Sequence, residues 1–139
     1  MRKLIIILSM MVIVTITYAQ QGVPKAITVD TVTNANTEYL YTETFSRAWN
    51  TLSIQLLCTQ LSGTSAGTAV LQASVDGTSW QTITDATGMV KGFVNDTLTV
   101  ANGAVGLWMV TNTGFYKYRI KITGSGTHST LITSHYIFK

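Results

Sequence analysis

The chain has 139 residues, nine Lys and Arg against six Asp and Glu for a formal charge of +3, one cysteine and two histidines. A lone cysteine excludes an intramolecular disulfide, and one cysteine with two separated histidines is a poor ligand set for zinc. Part of the positive balance sits at the extreme N-terminus in Arg2 and Lys3, so the pI of 9.1 is weak support for nucleic-acid binding.

Arg2 and Lys3 precede an apolar run from Leu4 to Ile16 that only Ser9 and Thr15 interrupt, and Thr17-Tyr18-Ala19 puts small residues at the −3 and −1 positions of a cleavage site. This pattern is that of a secretory signal peptide. The run is also shorter than the roughly twenty residues a membrane-spanning helix needs. Residues 1–19 are therefore expected as a leader and residues 20–139 as one domain, large enough to bury a core. The expected location is secreted or cell-surface, periplasmic or extracellular, with a virion surface as the variant. Membrane contact is expected only through the leader. Without the leader seven basic residues face six acidic ones, so the domain is near neutral and no nucleic-acid partner is expected.

After Pro24, the only proline, Ala26 to Val32 alternates with Ile27, Val29 and Thr31 on one side. Asn34-Ala35-Asn36 is turn chemistry, because asparagine tolerates the left-handed region. Glu38 to Phe45 reads as a strand with Tyr39 and Tyr41 opposite Leu40 and Thr42, and Arg47 to Asn50 as a corner. Thr51 to Gln60 gives the clearest period of two: Leu52, Ile54, Leu56 and Cys58 face one way, which a half-buried strand requires and a helix would not produce. Cys58 reads as a small buried hydrophobe.

Ser62 to Gly67 is a glycine and serine loop, and Thr68 to Val75 is a strand with Ala69, Leu71, Ala73 and Val75 inward. Asp76-Gly77 is expected to supply the positive φ angles of a tight hairpin, with Trp80 anchoring the strand that follows to Thr84. Met89 to Val94, Thr97 to Val100, Val105 to Thr111, Phe115 to Thr123 and Leu131 to Phe138 complete a series of short strands separated by turn signals. Threonine is abundant and no amphipathic helix follows the leader. The expected fold is all-β, a single antiparallel β-sandwich or jelly-roll-like domain.

No catalytic constellation emerges, and the protein is expected not to be an enzyme. A serine hydrolase needs a nucleophile, a histidine and a carboxylate at one spot. Ser129 and Ser134 lie near His128 and His135 in sequence but lack a nucleophile-elbow context, His128 falls in a Gly/Ser/Thr loop and His135 points outward. No cofactor and no metal site is expected, although calcium held by loop carboxylates and carbonyls stays open with no residues assigned.

The most suggestive polar feature is Phe115 to Ile122. Tyr116, Tyr118, Ile120 and Ile122 share one face, and Lys117, Arg119 and Lys121 share the other. That row is either a cationic ladder for an anionic glycan, phosphate or acidic partner, or a solvated face whose lysines guard a strand edge against aggregation. Trp49, Trp80 and Trp108 with Tyr39 and Tyr41 could form a stacking platform. Trp108, inside an apolar run, reads as core, and Trp49 beside the corner is the best candidate for exposure. The ligand-binding candidates are thus Trp49, Lys117, Arg119 and Lys121, and Asp76, Gly77 and Trp80 are the structural turn.

The stretch Gly67 to Trp80 resembles the strand, S-x-D-G-x-x-W, strand hairpin of small β-sandwich domains found in phage virion structural proteins and in discoidin-like or carbohydrate-binding modules. Tyr116-Lys117-Tyr118-Arg119-Ile120-Lys121-Ile122 resembles a strand that follows in many of them. Members of such families bind glycans, decorate particles or do neither, so the resemblance implies a sandwich and assigns no function. The expected function is a non-enzymatic, exported structural or adhesive surface protein of phage-derived type that self-associates. The alternative is a carbohydrate-binding module for a cell-surface glycan.

Overall fold

The structure is a computed structural model that describes residues 22–44, 49–84, 90–92 and 96–139. The expected leader, residues 1–19, lies outside the described residues, as does the expected corner residue Arg47.

Ten strands are described: β1 (Lys25–Thr33), β2 (Thr37–Tyr41), β3 (Trp49–Gly63), β4 (Gly67–Ser74), β5 (Gln81–Thr82), β6 (Val90–Gly92), β7 (Thr97–Thr99), β8 (Val105–Thr113), β9 (Lys117–Gly124) and β10 (His128–Phe138). They form two sheets. The first has the order β1-β10-β3-β8-β6; the second has the order β2-β9-β4-β5, with β7 also pairing to β4. Every pairing is antiparallel. The chain crosses repeatedly from one sheet to the other, and no helix occurs among the described residues. The protein is an all-β sandwich.

Period-two alternation builds the core. β3 buries Leu52, Ile54, Leu56 and Cys58, β8 adds Trp108 and Val110, and β10 adds Ile132, Tyr136 and Phe138 from the first sheet. Facing them, β9 buries Tyr118, Ile120 and Ile122, β4 buries Ala69, Leu71 and Ala73, and β2 contributes Leu40. Burying a large aliphatic side chain is worth about 2 kcal/mol, and this doubled layer is what holds a chain without disulfides.

Local sequence fixes the ends. Asn34 takes the left-handed conformation with φ 52°, and its side-chain oxygen accepts the amide of His128 at 3.2 Å. Its own amide donates to the His128 carbonyl at 2.9 Å, so the β1–β2 turn is tied to the start of β10. Gly67, at φ 138°, brings β4 so close to β9 that a Cβ would stand 2.3 Å from the Thr123 carbonyl oxygen.

Four expectations change. Val75, expected inward with Ala73, lies past the end of β4 at Ser74 and is exposed, because the chain there enters the loop and the alternation stops. In β1 a bulge between Ile27 and Asp30 shifts the phase, so Ile27 and Val32 are buried while Val29 is exposed; simple alternation cannot anticipate the extra residue. His128 lies in no loop but begins β10, and it is buried. Tyr116 precedes β9 and is exposed, away from the buried face of Tyr118.

Candidate functional site

The most organised polar cluster on the described surface is on the outer face of the second sheet. β9 alternates strictly: Tyr118, Ile120 and Ile122 are buried, and Lys117, Arg119 and Lys121 are half-exposed on the opposite side. Register brings other strands to Arg119. Tyr41 of β2 is its partner on one side and Gln72 of β4 on the other, and Thr82 of β5 pairs with Gln72. Tyr41, Arg119, Gln72 and Thr82 thus form one row across four strands.

The row is tightly wired. Arg119 Nε donates to Gln72 Oε1 at 2.8 Å, and Gln72 Nε2 donates to Thr82 Oγ1 at 3.2 Å. The Arg119 guanidinium carbon lies 4.2 Å from the ring centroid of Tyr39 and 4.2 Å from that of Trp80. It is 5.9 Å from the Tyr41 ring, and its Nη1 makes a long 3.4 Å contact with the Tyr41 hydroxyl. Lys117 Nζ stands 5.0 Å over the Tyr41 ring. Tyr41 meets Trp80 edge-on at 5.6 Å. A planar guanidinium between two ring faces gains electrostatic and stacking energy from both, and the Gln72 hydrogen bond fixes its rotation about the side-chain axis.

The loop between β4 and β5 positions Trp80. Pairing ends at Ala73 and Gln81, so this is a longer connection than a two-residue turn. Only Gly77 takes a positive φ, 77°, whereas Asp76 acts through its side chain. Asp76 Oδ1 accepts the amides of Ser79 at 2.7 Å and Thr78 at 2.8 Å and the Ser74 hydroxyl at 2.8 Å, and Oδ2 accepts the Ser79 hydroxyl at 2.7 Å. The Gly77 amide donates to Ser74 Oγ at 2.8 Å. These donors, the Ser79 amide foremost, hold the Asp76 carboxyl well below the usual carboxylate range. The loop is therefore rigid by its own side chains and sets the indole against Arg119.

The sequence-derived candidates divide. Lys117, Arg119 and Lys121 share one face, as alternation requires, and Lys117 and Arg119 meet Tyr41, Tyr39 and Trp80. Trp80 is half-buried on the outer surface and belongs to this cluster in addition to following the turn. Trp49 opens β3, but its side chain lies outside the described residues. Sequence reasoning missed Gln72, which reads as an ordinary outward polar residue until register places it beside Arg119.

Other polar groups do not converge on chemistry. His128 is buried and His135 exposed, on opposite faces of β10. His128 Nδ1 lies 3.0 Å from Thr130 Oγ1, which donates to Ser65 Oγ at 2.7 Å, forming a buried chain without a carboxylate. A shallow cleft of about 180 Å³ near His135, Gln55 and Leu107 is mostly apolar. Cys58 is a buried free thiol, pushed up to about 11 by burial. Among the described residues no group of three His, Cys, Asp or Glu is placed to hold a metal ion.

No protein-family model matches the chain, and no curated protein matches it. Among solved structures it is similar to the subunit in "Bacillus endospore appendages form a novel family of disulfide-linked pili", with 16% identity over 85% of this chain and 87% of that one, at a TM-score of 0.46. It is also similar to the SPBc2 prophage-derived protein YomS, with 10% identity over 84% of this chain and 96% of that one, at a TM-score of 0.45. A third similarity is to the Clostridium thermocellum xylanase 10B CBM22-1–GH10 modules, with 10% identity over 73% of this chain and 19% of that one, at a TM-score of 0.42. Likeness of this degree assigns no activity, ligand or partner.

Proposed function

We propose that this chain is a non-catalytic contact module that binds glycan through the outer face of the β2-β9-β4-β5 sheet. The observation that supports this reading is the Arg119 clamp: a cation fixed between Tyr39 and Trp80, 4.2 Å from each ring, on an exposed sheet face. Aromatic and arginine side chains held in place before binding lose little rotamer freedom on contact, which is the property a recognition surface needs. A leader of the kind read at residues 1–19 would deliver such a module outside the cell. The test is a glycan array with the unaltered protein and with Trp80→Ala and Tyr39→Ala. Binding that both substitutions weaken supports the reading. No glycan bound, or binding that both variants retain in full, contradicts it.

A second reading, self-association into a surface structure, is favoured by the outer face of the other sheet. Leu57 and Val105 are directly paired there and are 41% and 47% exposed, with Met109 further along β8. An apolar strip of this kind is a natural contact for a second copy. With Cys58 buried, such contact would be non-covalent. Light scattering across a concentration series distinguishes it: mass should rise with concentration and Leu57→Lys should abolish the rise, whereas a constant monomer mass contradicts it.

A further inference from the structure

We propose that the ligand of the Arg119 face is a carboxylated polysaccharide, a polyuronate, held by Lys117, Arg119 and Lys121; this rests on the glycan-contact reading above and names the class of glycan. The three cations project from alternate residues of β9, so their origins are spaced about 6.6 Å apart along the strand. None of them has a carboxylate partner among the described residues. The flanking strands add no acid on this face: the register partners are Tyr41 and Tyr39 on β2, and Ser74, Gln72 and Val70 on β4. Three unpaired cations in a line match a chain that carries one carboxylate per sugar.

The rings point the same way. Trp80 and Tyr39 each have a face against Arg119, and Tyr41 has Lys117 over it. A neutral sugar is taken up on open ring faces, and here those faces are partly occupied by cations. The cations therefore add fixed positive charge beside the rings, and the edge of an aromatic ring is itself its positive region. Arg119 has its Nε hydrogen bonded to Gln72, which leaves the Nη end for the paired donors that a carboxylate accepts. The contact of Nη1 with the Tyr41 hydroxyl, at 3.4 Å, is long enough to yield to a better acceptor.

The charge balance separates a polyuronate from nucleic acid. Residues 20–139 carry seven Lys and Arg against six Asp and Glu, so the domain is near neutral and three of its seven cations stand in this one row. A near-neutral domain whose described cations are gathered in a single short row, with ring faces partly covered by cations, is a weak nucleic-acid surface.

The experiment is calorimetric titration of the intact protein with polygalacturonate, with the same polymer fully methyl-esterified so that only the charge is removed, and with polyglutamate and single-stranded DNA of matched charge. The Lys117→Gln/Lys121→Gln double variant, checked for an unchanged circular dichroism spectrum, is titrated alongside. Polygalacturonate should bind, the ester should bind about tenfold more weakly, and the double variant should lose about tenfold for the acid form alone. Raising salt from about 10 to about 150 mM should weaken binding, as the screening length falls from about 30 to about 8 Å. Equal affinity for acid and ester overturns the polyuronate assignment and leaves the glycan reading standing. Failure to bind these polymers together with a blank glycan array overturns both. Stronger binding of polyglutamate or DNA overturns the ligand class, and unchanged affinity in the double variant overturns the site.

Discussion

Replacing Trp80 should reveal how far the Arg119 clamp behaves as a single unit. The guanidinium carbon is 4.2 Å from both the Trp80 and Tyr39 centroids, inside the range where a cation and a ring attract. Such a contact is worth about 0.5–1 kcal/mol when exposed and about 2 kcal/mol when desolvated. Arg119 and Trp80 are both half-buried, so an intermediate coupling of about 1 kcal/mol is expected. The assay is a double-mutant cycle of Trp80→Ala, Arg119→Ala and the pair, followed by urea denaturation. With a slope of about 2 kcal/mol per molar urea, the coupling appears as a midpoint difference of about 0.5 M. The two single costs should sum to about 1 kcal/mol more than the cost of the double variant, because losing either partner removes the same contact. Costs that add to within about 0.3 kcal/mol would show that the two side chains pack independently and would refute the clamp.

Three further outcomes follow from the structure. Ile120 is fully buried between its register partners Leu40 and Leu71, so Ile120→Ala should cost about 3–4 kcal/mol in urea denaturation; a loss below about 1 kcal/mol would mean that this face of β9 is not core. The Asp76 carboxyl is depressed in the folded state relative to an unfolded value of about 3.9, so its contribution is present above that pH and fades as pH falls below it toward the native value. The stability gap between the unaltered protein and Asp76→Asn should therefore be wider at about pH 7 than at about pH 3, and a gap independent of pH would count against the wiring of the loop. Cys58, with its thiol pushed up to about 11, should ignore a disulfide reagent at neutral pH until urea unfolds the chain; rapid reaction of the native protein would place it outside the core.

Much of the sandwich is legible along single strands. Leu52, Ile54, Leu56 and Cys58 alternate in the regular part of β3, before its register shift between Gln60 and Ser62, and Tyr118, Ile120 and Ile122 do the same in β9, so a period of two suffices to assign their faces. It fails where the backbone breaks phase, as at the β1 bulge that turns Val29 outward. It also fails where a loop sets orientation, as with Trp80, whose direction depends on the hydrogen bonds of Asp76 and not on neighbouring hydrophobicity. The candidate site is legible only in parts. Lys117, Arg119 and Lys121 can be seen to share a face, but their meeting with Tyr39, Tyr41, Gln72 and Trp80 depends on the strand order β2-β9-β4-β5. That order joins residues dozens of positions apart, and no local pattern encodes it.

The central claim is that the outer face of the β2-β9-β4-β5 sheet is the contact surface. The most direct measurement is a two-dimensional ¹⁵N–¹H NMR titration of the labelled protein with a short polygalacturonate oligomer. Shifts are expected at the amides of Tyr39, Tyr41 and Lys117 to Lys121 and at the indole N–H of Trp80, while the amides around Leu57 and Val105 stay in place. Shifts confined to the Leu57–Val105 face, or an unmoved Trp80 indole with saturating oligomer, would contradict the claim.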